Sequence, residues 1–72
     1  MVEDHLAQAE RHVTDGNRHI VEQRRRVFTM QRGGRDTTES FRLLRQFEEL
    51  QALHVADRDR LRLELAQLGP AG

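Results

Sequence analysis

The sequence predicts an all-α protein: an antiparallel two-helix hairpin that dimerises into a four-helix bundle. The first observation behind this prediction is a heptad repeat. Two series of residues recur every seven positions, one at Leu6, Val13, Ile20 and Val27, the other three residues later at Ala9, Gly16, Gln23 and Met30. Such 3–4 spacing is the seam along which a helix packs on other helices, as in a coiled coil. The second observation is a paired glycine, Gly33-Gly34, followed by another amphipathic stretch.

The boundaries of the two helices follow from local signals. We expect helix one over about residues 3–32, a turn at 33–36 and helix two over about residues 37–68, all in a single domain, 1–72. The glycine pair stops helix one, because glycine adopts the left-handed conformation without a Cβ clash. Asp36 is a suitable N-cap, with Glu39 completing a capping box, and Gly69-Pro70 ends helix two. A connection this short makes the helices antiparallel.

One segment favours a different architecture. Out of context, Asp15-Gly16-Asn17 reads as a turn, which would divide helix one and give three shorter helices. The heptad phase nevertheless continues unbroken across Gly16. We therefore predict one continuous helix, with Gly16 marking the close approach of a neighbour.

Helix two is predicted to bury a stripe of apolar residues, interrupted in its middle by Gln51, His54 and Arg58. The stripe consists of Phe41, Leu44, Phe47, Leu50, Leu53, Leu61, Leu65 and Leu68. The expected pairing of the helices places His54 opposite Gly16 and Phe47 opposite Gln23. A polar residue in such a seam fixes register and oligomeric state at some cost in stability, and this is the role expected of His54.

Dimerisation is predicted because two helices cannot cover each other's apolar stripes. Residues 24–45, the basic tip, carry seven arginines against two acids, a net charge of +5, whereas residues 1–23 carry −3 and residues 46–72 carry −2. Two hairpins lying antiparallel would set each basic tip beside the acidic end of the other. The predicted oligomer interface consists of Leu6, Val13, Gly16, Ile20, Val27, Leu44, Phe47, His54 and Leu61.

Composition narrows the functional classes. The chain has 72 residues, no cysteine and three aromatic residues, all phenylalanine. Its start is acidic and no apolar run has the length of a membrane span, so we expect a cytoplasmic protein with no membrane partner. The hydroxyl residues lie near no obvious base, and no phosphate-binding loop is present. We expect no catalytic residue, no cofactor and no small-molecule substrate.

The histidines raise the hypothesis of a metal site. His5, His12 and His19 are seven residues apart, about 10 Å along a helix axis, so they cannot share one ion. A carboxylate follows His12 and His54 by three residues, and the expected pairing brings these groups together. The hypothetical ligand set is His12, Asp15, His54 and Asp57. The competing interpretation is structural, with the histidines covering the edge of the seam.

The basic tip raises a second alternative, a small RNA-binding dimer. The residues that would contact phosphates are Arg24, Arg25, Arg26, Arg32 and Arg35. No aromatic side chain alternates with these arginines to stack on bases, and the partner's acidic end would neutralise part of the charge. Nucleic acid is therefore not the expected partner.

The pattern also resembles a group of short bacterial helical-hairpin proteins with no assigned activity. The shared features are a His-apolar-x-x-x-x-Arg heptad opening, a turn containing glycine, and Asp-Thr before the second helix. The resemblance extends over about residues 5–65, through segments 5–13, 36–39, 47–49, 52–54 and 57–61. It implies the hairpin fold and carries no mechanism. The predicted function is thus non-enzymatic, a structural or regulatory role through contact with a second copy of the chain or with another protein.

Overall fold

The computed structural model describes residues 1–69 and contains two helices, α1 (Val2–Arg32) and α2 (Thr38–Leu68). They pack antiparallel along their whole length, in a rod of 62 × 14 × 14 Å. The predicted all-α hairpin is confirmed, and α1 continues through Asp15-Gly16-Asn17 without a break. Neither helix, within the range 1–69, has the length and apolarity required to cross a bilayer.

The turn between the helices is a Schellman motif centred on Gly34. Gly34 takes the left-handed conformation, with φ +69°, whereas Gly33 has φ −81°. The backbone N–H of Arg35 donates to Met30 O at 2.9 Å, and that of Gly34 donates to Gln31 O at 3.1 Å. These two bonds satisfy carbonyls at the end of α1 that have no partner within the helix.

The start of α2 differs from the predicted capping box. The N-cap position is Thr37, which makes no side-chain cap, and Glu39 pairs with Arg42 at 2.7 Å. Asp36 instead accepts from the backbone N–H of Thr38 at 3.0 Å and from its hydroxyl at 2.7 Å. Both hydrogen bonds lower the pKa of the Asp36 carboxyl because they favour its charged form, and the bond from the backbone N–H has the larger effect.

The other end of α2 follows the prediction. Gly69 has φ +56°, and its N–H donates to Leu65 O at 3.1 Å. The predicted contribution of Pro70 lies outside the described residues.

The core is a narrow seam between the two helices. Its buried apolar residues are Ala9, Val13, Ile20, Val27, Leu44 and Leu61. Within residues 1–69 no side chain is completely buried. The prediction that α2 buries its whole apolar stripe is wrong for four residues, which are exposed by 41 to 67%: Phe41, Leu50, Leu53 and Leu68. The physical reason is the width of the stripe, since one facing helix covers only part of it.

The axial register also differs from the prediction. Gln51, and not His54, lies against Gly16, while His54 faces His12 and Phe47 faces His19. Buried polar groups fix this register. The amide nitrogen of Gln51 donates to Val13 O at 2.8 Å, and that of Gln23 donates to Ser40 O at 3.0 Å. Because both glutamines are buried, a slip of the helices would leave their amides unpaired, at a cost of about 1–3 kcal/mol each.

Candidate functional site

The hairpin has two sides, which flank the same seam. On one side, ion pairs connect the helices, Arg24 with Glu48 at 3.4 Å and Arg62 with Glu10 at 3.5 Å. Glu10 and Arg24 each come one position after a residue of the second heptad series of α1. Arg62 and Glu48 face them from α2. We call this the ion-pair side.

The opposite side, which we call the groove side, carries the histidine column that precedes the first heptad series. Residues on either flank of a helical seam point to opposite sides of the pair. Three hollows follow one another along this side. The largest, about 490 Å³, lies near the turn between Arg26, Met30 and Leu43. The other two, about 250 Å³ and 210 Å³, meet at His12.

The middle hollow holds the aromatic contacts of the groove side. The rings of His12 and His54 lie 5.0 Å apart between centroids, and those of His19 and Phe47 lie 5.8 Å apart. His54 and Phe47 are half-buried, whereas His12 and His19 are exposed. The two helices thus present imidazole and aromatic surface jointly, at mid-length of the hairpin.

Beside these rings α2 carries an apolar row, Leu43, Phe47, Leu50 and Leu53. The spacing of four, three and three residues places all four on one helical face. Leu43 is 37% exposed, Leu50 is 50% exposed and Leu53 is 67% exposed. The row therefore leaves a line of apolar surface beside the groove.

A buried amide, that of Gln51, borders the middle hollow. Gln51 also donates to the side-chain oxygen of Asn17 at 3.0 Å, and its own Oε1 is buried without a partner among the described residues. This amide occupies the space where a Cβ of residue 16 would lie: a Cβ built on Gly16 would overlap Oε1 and approach Cδ to 2.8 Å. Gly16 is therefore the residue that admits Gln51 to the seam.

The nine residues predicted for the oligomer interface form the seam of the hairpin itself. Five are buried within one chain: Val13, Ile20, Val27, Leu44 and Leu61. The remaining four, Leu6, Gly16, Phe47 and His54, are half-buried. Only these four have accessible surface left for contact with a second chain. An oligomer interface made of all nine residues therefore stays a prediction.

Of the four hypothetical metal ligands, the structure brings the two imidazoles together. Asp15 pairs with Arg18 within α1, and Asp57 pairs with Arg60 at 2.6 Å within α2. Over residues 1–69, no group of three or more His, Cys, Asp or Glu side chains has the arrangement that holds a metal ion. The four-ligand site is not assembled by one chain.

The arginines of the basic tip lie on more than one side of the hairpin. Arg24 pairs with Glu48 on the ion-pair side, and the guanidinium of Arg32 lies 5.7 Å from the centroid of the Phe28 ring. Arg25 and Arg26 border the largest hollow on the groove side. The predicted phosphate-binding set, which also includes Arg35 in the turn, is therefore distributed over different surfaces.

One feature escaped the sequence reasoning. Gln51 was taken as an interruption of the stripe, although its place one heptad after Leu44 could have indicated a buried amide. The width of the α2 stripe was recognised as more than one helix covers, although Leu50 and Leu53 were assigned to the buried stripe.

Comparison of the chain with protein-family models, with curated proteins and with solved structures gives no match.

Proposed function

We propose that this protein is a non-catalytic structural or regulatory module that works as a homodimer, in which the groove side of one chain covers the groove side of a second, antiparallel chain. The observation that carries the proposal is the apolar row beside the groove. Exposed apolar rows of this kind, bordered by polar residues, are typical of interaction surfaces. Burying a fully exposed leucine side chain contributes about 1.5–3 kcal/mol. Leu50 is 50% and Leu53 is 67% exposed, so covering each would contribute about half to two thirds of that.

A second copy of the chain is the occupant that the charges favour. Because the net charge of +5 lies at the tip and the negative charge lies toward both termini, an antiparallel pair of hairpins sets opposite charges side by side. A parallel pair would place two basic tips together. Charge complementarity of this kind favours the antiparallel orientation of the two hairpins and disfavours the parallel one.

The position of the apolar row also suits a two-fold dimer. Such an interface is self-complementary, so its apolar centre must lie close to the symmetry axis. The row spans residues 43–53, and Leu50 lies next to the Gly16–Gln51 contact near the middle of both helices. An axis at this level would overlap the two rods along most of their length.

Among residues 1–69, the hydrogen bonds made by hydroxyl groups do not favour a catalytic role. Thr14, Thr38 and Ser40 donate their hydroxyl protons to Glu10 O, Asp36 Oδ1 and Met30 Sδ respectively. These hydrogen bonds join residues that are close in sequence, at the helix surfaces and at the turn. An imidazole that activates a nucleophile needs the hydroxyl as its own hydrogen-bond partner.

The experiment compares two charge substitutions on opposite sides of the hairpin. Leu50→Glu places a carboxylate in the proposed interface, and we expect it to weaken dimerisation at least about 100-fold, since an unpaired charge is costly to bury. The matched control is Val21→Glu on α1, because Val21 is 53% exposed and lies away from the groove side. Sedimentation equilibrium of the three proteins measures the dissociation constants.

Three results would contradict the proposal: a monomeric parent protein, a dimer unaffected by Leu50→Glu, or equal weakening by both substitutions. Circular dichroism on each variant shows whether the hairpin is retained, so that loss of the dimer is separated from loss of the fold.

A further inference from the structure

The contact between His12 and His54 has the dimensions of a metal-binding pair. The residues lie on different helices, and their ring centroids are 5.0 Å apart with an interplanar angle of 47°. Both border the same hollow of about 250 Å³, from which solvent can reach them. His54 is half-buried and His12 is exposed, so the pair lies at the surface of the protein.

The separation can be compared with that of two imidazoles on one ion. A zinc–nitrogen bond is about 2.0–2.1 Å, and the ring centroid lies about 1.2 Å beyond the nitrogen. Two such ligands at a tetrahedral angle have centroids about 5 Å apart. The observed centroid distance of 5.0 Å therefore matches that of two imidazoles bound to one ion.

We propose that His12 and His54 form a two-histidine site for a borderline transition-metal cation, of which Zn²⁺ is the example, with water in the remaining positions. Imidazole is a preferred ligand for zinc, copper and nickel, whereas magnesium and calcium prefer oxygen. Both ligands come from one chain, so the site can form in a monomer. Leu50 borders the same hollow, so in the proposed dimer a second chain would lie close to the site.

Two carboxylates near the histidine pair favour the binding of a cation there. Asp15 borders the same hollow, and Asp57 borders the adjoining one together with His12. Each now pairs with an arginine on its own helix, and the side chains of both pairs are 46 to 63% exposed. Such exposed pairs are weak, so either carboxylate can turn toward a bound cation and offset its charge.

Metal binding would join α1 to α2 and stabilise the hairpin. A cation that binds two residues from different helices binds the folded state and not the unfolded chain, so it raises the unfolding temperature. His19 provides a matched control. It occupies the same heptad position as His12, seven residues later, but its ring faces Phe47 and not a second imidazole.

The test is thermal unfolding of chelator-treated protein with and without zinc chloride, for the parent chain and for His12→Asn, His54→Asn and His19→Asn. We expect zinc to raise the Tm of the parent and of His19→Asn by at least about 5 °C at saturating concentration. The rise should be absent in His12→Asn and in His54→Asn. Each protein is its own reference, so a change in intrinsic stability does not affect the comparison.

Native mass spectrometry adds the stoichiometry, with one zinc per chain expected. The proposal is overturned by the absence of a Tm rise in the parent. It is also overturned if the rise survives loss of either His12 or His54, or if it disappears equally in His19→Asn, because zinc would then bind surface histidines without distinction.

Discussion

The ion-pair side and the groove side flank one seam, yet they close it in different ways. On the ion-pair side, charged residues reach across from both helices, with side chains 45 to 62% exposed. On the groove side, His12 and His19 from α1 face His54 and Phe47 from α2, and hollows remain along the seam.

Both sides leave some apolar surface in water: Val21 is 53% and Phe41 is 41% exposed on the ion-pair side, and the apolar row is exposed on the groove side. Among residues 1–69 the ion pairs that join the helices lie on the ion-pair side, so the proposed partner surface is the groove side, where the apolar row is continuous.

The largest expected effect comes from exchanging one aromatic residue on each side for alanine. Phe47→Ala removes a half-buried ring from the groove side and should lower the free energy of unfolding by about 2–3 kcal/mol. Phe41→Ala, on the flank with the ion pairs, removes a ring that is 41% exposed, and should cost no more than about 1 kcal/mol.

Urea denaturation at one fixed protein concentration measures both values. Equal losses in the two variants would mean that the two sides contribute alike, and the distinction between them would fail.

The next effect concerns the polar centre of the seam between the sides. Gly16→Ala should improve helix propensity by about 1 kcal/mol, but it displaces the buried amide of Gln51 and breaks its hydrogen bond. The second effect outweighs the first, so we expect a net loss of about 1 kcal/mol.

The same substitution in a Gln51→Ala background should be stabilising, because the new methyl group then meets no amide. A double-mutant cycle measured by chemical denaturation tests this reversal of sign. If Gly16→Ala has the same effect in both backgrounds, Gln51 does not require the glycine.

The smallest effect is expected on the ion-pair side. Glu48→Gln removes the cross-helix pair with Arg24, and should change stability by about 0.5 kcal/mol or less. The change should vanish in molar salt, since exposed charges are screened. Glu64→Gln, which removes a pair with Arg60 inside α2, is the control for a pair that does not join the helices.

Unfolding curves at low and high salt provide the measurement. A loss above about 1 kcal/mol that persists in salt would show that these pairs stabilise the hairpin more than exposed pairs generally do.

Much of the fold was predictable from the sequence, because its determinants are local. Heptad spacing indicated the seam face of α1, and Gly33-Gly34 indicated the turn. Gly16 was correctly predicted as a point of close approach. These predictions need only the period of a helix and the backbone preferences of glycine.

The axial register and the asymmetry of the two sides were not predictable in the same way. Periodicity determines which face of a helix packs, but a shift along the axis leaves that face unchanged. Register here depends on the amides of Gln23 and Gln51, which bond to carbonyls of the opposite helix. The contact between His12 and His54 follows from that register. The residues of the candidate site could therefore be identified in the sequence, but which of them lie in contact could not be predicted.

The central claim is that the groove sides of two antiparallel chains cover each other, and a distance between the two basic tips tests it most directly. The chain has no cysteine, so Arg35→Cys accepts a single spin label in the turn. With the symmetry axis at the level of Leu50, the two labels should lie roughly 45 Å apart, from a rise of 1.5 Å per residue in each helix. Pulsed electron resonance showing this distance supports the account. Labels within about 25 Å of each other would indicate parallel hairpins, absence of dipolar coupling would indicate a monomer, and either result would contradict it.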